Sequence, residues 1–272
     1  MSLSILNSIS SLNAENALSS TQMNLQKVLT QLSTGLKINS GSDDAAGLAI
    51  ANGLQANISA LNQSSQNASN GVGLLQTADG ALSQVTTLLN RAVTLATEAS
   101  TGGLSTSQAT AVDTEYQSIL TEIGTIGNTT NFNGTVVFGT TATVYTSDGT
   151  TSGSNTTSTT IGALTTTALA LNATDLTSTT DAQTALTAIS AAINTVAANR
   201  GAIGASVNQL SAASSVENTE VTNLTSAQNA VQNADIGATV AKMTQYNVLQ
   251  QTGMAALSQS NQAQQAVLKL LQ

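Results

Sequence analysis

Apolar residues recur at alternating three- and four-residue steps along five stretches of the chain, with polar residues filling the positions between. The clearest stretch is residues 45–100, where Leu54, Leu61, Ala68, Leu75, Leu82, Leu89 and Ala96 return every seven residues. From Leu75 onward a second series joins it, Ala78, Val85, Ala92 and Ala99. A heptad sustained this long predicts a helix with a left-handed coiled-coil seam. Before Leu75 the second series reads Asn57, Ser64 and Gly71, so that half of the seam is polar or tightly apposed. Gly102 and Gly103 end the helix. Residues 105–127 carry Ala109, Val112, Tyr116, Ile119, Ile123 and Ile126, a shorter helix expected to run back along the first. Residues 181–234 hold Leu186, Ile189, Ile193, Val196, Ile203, Val207, Leu210, Val221, Leu224 and Val231 in one register. Arg200, Ser214, Glu217 and Gln228 occupy the remaining seam positions there.

The two ends are patterned alike. Residues 3–34 present Ile5, Ile9, Leu12, Leu18, Leu25, Val28, Leu29 and Leu32 as a loose helical stripe, and residues 236–272 present Ile236, Val240, Met243, Tyr246, Leu249, Leu257, Val267, Leu268 and Leu271. The positions between are Ser, Asn, Thr and Gln, mediocre helix formers, so each end needs a partner to be stable. Burying a Leu, Ile or Val gives about 1.5–3 kcal/mol, while ordering each residue's backbone costs about 1–2 kcal/mol. One helix pair of this composition roughly breaks even, and further copies of the same chain would tip it. Both ends are therefore expected to be disordered in the monomer and to fold on assembly.

Between the long helices the pattern changes. Asn133-Gly134 stands between Asn131-Phe132 and Thr135-Val136-Val137-Phe138, a hairpin signal, and both phenylalanines are expected to pack on helix ends. Residues 139–180 are mostly Thr, Ser, Gly and Asn, with Val144, Tyr145, Ile161 and Leu164 as apolar anchors and a turn at Asp148-Gly149. The fold class that emerges is mainly α: an elongated antiparallel helical bundle or coiled coil with a small β-hairpin region in mid-chain. Its expected divisions are 1–42 (N-terminal half of a terminal coiled coil plus hinge), 43–130 (bundle helices), 131–180 (β-hairpin and loop), 181–234 (C-terminal bundle helix) and 235–272 (C-terminal half of the terminal coiled coil).

Composition sharpens this picture. Of 272 residues only 7% are charged, against roughly 25% in an average domain, and 2% are aromatic. Proline, cysteine, histidine and tryptophan are absent. An Ala- and Leu-rich chain without aromatics or proline suits long close-packed helices better than a rounded core. Net charge −8 with six basic residues excludes a strong nucleic-acid reading. No apolar run approaches the ~20 residues of a membrane span, and the N-terminus lacks the features of a cleaved secretory signal.

The hinge between the first two helices lies at residues 32–51, Leu-Ser-Thr-Gly-Leu-Lys-Ile-Asn-Ser-Gly-Ser-Asp-Asp-Ala-Ala-Gly-Leu-Ala-Ile-Ala. Gly35 and Gly41 interrupt the first helix, and Asp43 and Asp44 are placed to cap the next. This stretch closely resembles the N-terminal signature of bacterial flagellins. Asn233-Ala-Asp-Ile236, Asn247-Val-Leu-Gln-Gln-Thr-Gly-Met-Ala-Ala-Leu257 and Asn261-Gln-Ala-Gln-Gln-Ala-Val-Leu268 resemble the C-terminal signature of the same family. The resemblance covers roughly the first 135 and last 95 residues and implies a short form without large outer domains. It further implies a structural subunit that polymerises with its own copies into a filament outside the cell, with the terminal helices as inner tube and the bundle as wall. Export of an unfolded, uncleaved chain follows, as do an export apparatus and chaperone, a filament cap and hook–filament junction proteins as partners. The alternative within the same resemblance is a hook–filament junction protein. The family places the arginine matching Arg91 at a contact between subunits, beside a surface read by a host innate receptor. Leu95 and Glu115 match that surface, whereas Ala92, Val93 and Thr94 depart from it.

No constellation points to catalysis, a cofactor or a metal. Asp43-Asp44 has no further ligand cluster nearby, and Gly71-Val-Gly73 lacks the strand and the Lys-Ser/Thr of a phosphate loop. The residues expected to carry function are instead the terminal stripes, from Ile5 to Leu32 and from Val240 to Leu271. To these are added Gly35, Gly41, Asp43 and Asp44 at the hinge, and Arg91, Leu95, Glu115, Arg200 and Glu217 as subunit contacts.

Overall fold

A computed structural model describes residues 9–149 and 156–270, with residue 264 and residues 267–270 described by backbone alone. Among the stripe residues, Ile5 and Leu271, and the side chains of Val267 and Leu268, lie outside the described residues. In chain order the elements are α1 (Ile9–Thr34), α2 (Ala45–Ala99), α3 (Thr106–Thr129), β1 (Asn131–Phe132), β2 (Thr135–Val136), β3 (Thr140–Tyr145), β4 (Thr156–Ile161), α4 (Thr179–Gln232) and α5 (Ile236–Leu270). The chain is thus mainly α, with two small antiparallel strand pairs. It forms two compact units. One comprises the chain up to Ala56 together with Leu224 onward, and the other is Asn57–Asn223.

In the Asn57–Asn223 unit the heptad becomes the packing seam. Leu61, Ser64, Ala68, Gly71, Leu75, Ala78, Leu82, Val85, Leu89, Ala92, Ala96 and Ala99 are all buried, an unbroken three-four series. They face Ala182, Ala185, Ile189, Ala192, Val196, Ile203 and Leu210 of α4. Ser65 meets Ser214 at 2.9 Å and Asp79 meets Arg200 at 2.8 Å, so α2 and α4 run antiparallel. The polar half of the seam is real. Ser64 is buried and donates to the Glu217 carboxylate at 2.6 Å, while a Cβ on Gly71 would sit 2.5 Å from Val144 and 3.2 Å from Leu210. Only a residue without a side chain lets β3 and α4 close on α2 at that point.

The third helix begins at a capping box, Ser105 and Gln108 each satisfying the other's backbone N–H. Tyr116, Ile119, Leu120 and Ile123 then enter the same core. Threonine hydroxyls along these helices are satisfied by carbonyls four residues back, as in Thr97 to Val93 (2.8 Å) and Thr110 to Thr106 (2.9 Å), so they do not stand as unpaired polar groups beside the helix.

The hairpin at Asn133-Gly134 forms, with φ of 51° and 79° at the two turn residues, the positive values that a type I′ turn requires. Phe138 is buried, but Phe132 lies against Gly73 in the middle of α2 and not at a helix end. Tyr145 is no anchor either, being 42% exposed, because strand alternation turns it outward while Val144 faces α2. The loop after β4 supplies apolar groups that no periodicity announced: Leu169, Leu171 and Leu176 are all buried. Asp113 accepts the Leu176 N–H at 2.9 Å, and Tyr116 and Thr174 share a hydroxyl contact at 2.5 Å, pinning this loop over α3. Burial raises the Tyr116 hydroxyl above its ordinary pKa. At Gly127 the Leu164 carbonyl approaches within 2.1 Å of where a Cβ would be.

Candidate assembly surface

The other unit is built on α1 and α5. Ser11 contacts Ser260 at 2.9 Å, and a Cβ on Gly253 would meet Leu18 at 3.3 Å, so the two helices run antiparallel. Their inner seams are regular three-four series of more covered residues: Ser11, Ala14, Leu18, Thr21, Leu25, Val28 and Leu32 on α1, and Thr239, Met243, Tyr246, Gln250, Gly253, Leu257 and Ser260 on α5. Small residues alternate with large apolar ones along the seam, Ser11, Ala14 and Thr21 with Leu18, Leu25 and Leu32, and Thr239, Gly253 and Ser260 with Met243, Tyr246 and Leu257, and most of them are only partly covered. Val28 is the one fully buried residue of α1 among those described.

Several apolar residues lie off that seam. Ile9 (72% exposed), Leu12, Met23 and Leu29 on α1, and Ile236, Val240, Val248, Leu249 and Met254 on α5, are large and exposed. These four and five make nine of the thirteen exposed large hydrophobics among the described residues. The single stripe expected at each end is therefore two sets of residues. Leu18, Leu25, Leu32, Met243 and Leu257 zip the pair together, while Ile9, Leu12, Leu29, Val240 and Leu249 face outward. Ile236 of the expected stripe joins the outward set, as do Met23, Val248 and Met254, which were not singled out from sequence. The phase of Ser11, Ala14 and Thr21 was the signal that locates the seam and leaves the rest outside.

A short backbone pairing joins the hinge to the α4–α5 junction. The Lys37 N–H donates to the Gln232 carbonyl at 2.7 Å, and the Ala234 N–H donates to the Gly35 carbonyl at 2.9 Å. Gly35 sits at φ 73°, where its lack of a Cβ matters. Gly41 lies in the turn that follows, without a positive φ. The two aspartates divide the work. Asp44 is the cap, its Oδ1 accepting the Gly47 N–H at 2.9 Å. Asp43 is not a cap. Its carboxylate bonds backward, to the N–H groups of Asn39 and Ser40 and to the Lys27 ammonium at 2.8 Å. The hydrogen bond from Lys27, followed by that from Asn39, holds the Asp43 carboxyl down at about 2.

The expected contact residues are engaged within the chain. Arg91 pairs with Glu115 at 2.7 Å on an exposed face, and Arg200 holds Asp79 through two nitrogens. Glu217 bonds to Ser64, and Leu95 is buried in the bundle core. No group of three or more His, Cys, Asp or Glu that could hold a metal occurs among the described residues, and no helix among them is long and apolar enough to cross a membrane.

Long heptad helices, a pair of end helices and an apolar set left outside their seam define a helical structural protein. Residues 5–143 match the family model of the bacterial flagellin N-terminal helical region, and residues 186–271 match that of the C-terminal helical region. The chain belongs to the bacterial flagellin family. It is 30% identical to a flagellin of Listeria monocytogenes, with 97% of each chain covered. It is 34% identical to a flagellin of Halalkalibacterium halodurans, covering 90% of this chain and 91% of that one. A crystal structure of Bacillus cereus flagellin overlaps 56% of this chain and 88% of its own, at 27% identity and a TM-score of 0.49. Membership makes the chain a structural subunit that polymerises with its own copies in the flagellar filament outside the cell, and no finding favours a hook–filament junction protein.

Proposed function

We propose that the outward residues of α1 and α5 are the polymerisation surface, with Gly35, Gly41, Asp43 and Asp44 as the hinge that sets its entry. The observation that carries this reading is the concentration of nine exposed large hydrophobics on two helices that already pair through a separate seam containing Leu18, Leu25, Leu32, Met243 and Leu257. Burying each such side chain against a neighbouring copy contributes about 1.5–3 kcal/mol. Leu12→Asp and Leu249→Asp change groups exposed in the single chain, so both variants should keep wild-type circular dichroism and form no filaments under electron microscopy after seeding. Normal filaments from both would remove these helices from the mechanism. Family membership also supports passage through the flagellar export apparatus with a chaperone, without cleavage of a signal, and contact with filament cap and junction proteins. The intact mass of filament protein tests the uncleaved route directly.

A further inference from the structure

In the Asn57–Asn223 unit a cavity of about 370 Å³ opens beside α2, the residues following β3, and α4, walled in part by Leu61, Ser147, Asp148, Val216, Glu217 and Glu220. Among the described residues its wall carries three carboxyl groups and no basic one. Glu217 is 4% exposed. One carboxylate oxygen accepts from Ser64 at 2.6 Å, and the other is buried without any hydrogen-bond partner among the described residues. A buried carboxylate with half its acceptors unmet is costly unless a cation supplies the missing donor. The carboxylates do not converge into a metal-holding group among the described residues. A donor on a flexible stem fits better: the ammonium of a lysine, with three N–H groups and a methylene chain that can lie on Val216, itself 65% exposed at the same wall.

We propose that this cavity receives a lysine of a second copy of the chain in the filament. Charge complementarity within one sequence supports that occupant. Lys27, Arg91 and Arg200 are already paired inside the chain, whereas Lys37 and Lys242 are exposed and make no ion pair among the described residues, outside which the Lys269 side chain lies. The inference rests on the filament reading but fails separately from it: absence of any wild-type filament would sink the filament reading, whereas the outcomes below concern filaments that do form.

The test copolymerises isotope-labelled and unlabelled wild-type protein and applies a zero-length carbodiimide, which joins carboxylate to amine only at contact. Amide links between Glu220 or Asp148 of one copy and a lysine of the other, absent from monomer, are expected. Glu217→Gln and the more exposed Glu220→Gln should each raise the critical concentration for assembly about tenfold, the change that one lost charge-assisted contact produces. Glu220→Gln keeps the test alive should Glu217→Gln fail to fold. Filaments without such links, links that form equally in monomer, or wild-type assembly by a folded Glu220→Gln variant would overturn the proposal. So would protection of monomer Glu220 from the carbodiimide by sodium, magnesium or calcium chloride alone, which would assign the cavity to an inorganic ion.

Discussion

Asp43 shows how one side chain can set a junction. Its carboxylate gathers the Asn39 and Ser40 N–H groups and the Lys27 ammonium, so a turn that lacks helical hydrogen bonds is closed by a single charged acceptor. The folded value of about 2 lies below the ordinary 3.8. Ionised Asp43 therefore contributes in full above about pH 4, and that contribution is lost as the pH falls through about 2. The amide signals of Asn39 and Ser40 in magnetic resonance spectra should shift together across that window. In Asp43→Asn they should sit near their acid positions at every pH. Unchanged signals in the variant at neutral pH would mean that the charge does not organise the hinge. Adjacent aspartates before a helix read alike in sequence, and a capping rule alone cannot say that one of them turns backward to a lysine sixteen positions earlier.

At the scale of elements, burial obeys the heptad where both partners are long helices, and there the sequence was legible almost to the residue. Leu61 to Ala99 kept their phase, and the anomalies at Ser64 and Gly71 became a buried hydrogen bond and a close backbone approach. Legibility ended where apolar residues lack a period. Leu169, Leu171 and Leu176 fill the core from a loop whose local spacing matches neither helix nor strand, and the contacts that place them, Asp113 to Leu176 and Tyr116 to Thr174, are long-range. The terminal helices failed differently: most of their apolar residues were visible, but with small residues holding part of the seam, apolar spacing alone did not say which of them faced inward. Energetically the loop leucines should count as much as the heptad ones. Leu171 and Leu82 are each fully buried, so Leu171→Ala and Leu82→Ala should each cost about 2–5 kcal/mol in denaturant unfolding of the Asn57–Asn223 unit. A loss below about 1 kcal/mol for Leu171→Ala would mean that the loop merely rests on the core.

Across the whole molecule the two units differ in how fully each completes its own packing. The Asn57–Asn223 unit holds a continuous buried cluster from Ala68 to Leu210, whereas α1 and α5 bury little against each other and expose most of their large apolar groups. Ordering each residue's backbone costs about 1–2 kcal/mol, which a seam half made of Ser, Ala, Thr, Gln and Gly, with its leucines and methionine only partly covered, offsets incompletely. The end helices should then draw much of their stability from the polymer, and local opening in the free subunit should be far easier at the ends than in the bundle. Hydrogen exchange on soluble monomer should show weak protection over residues 9–34 and 236–270 and strong protection over the seam residues of α2 and α4. In assembled filaments the end helices should become the slowest-exchanging part. Equal, strong protection of both regions in the monomer would show that the end pair is stable alone, and the outward hydrophobics would then drive association without any coupled folding.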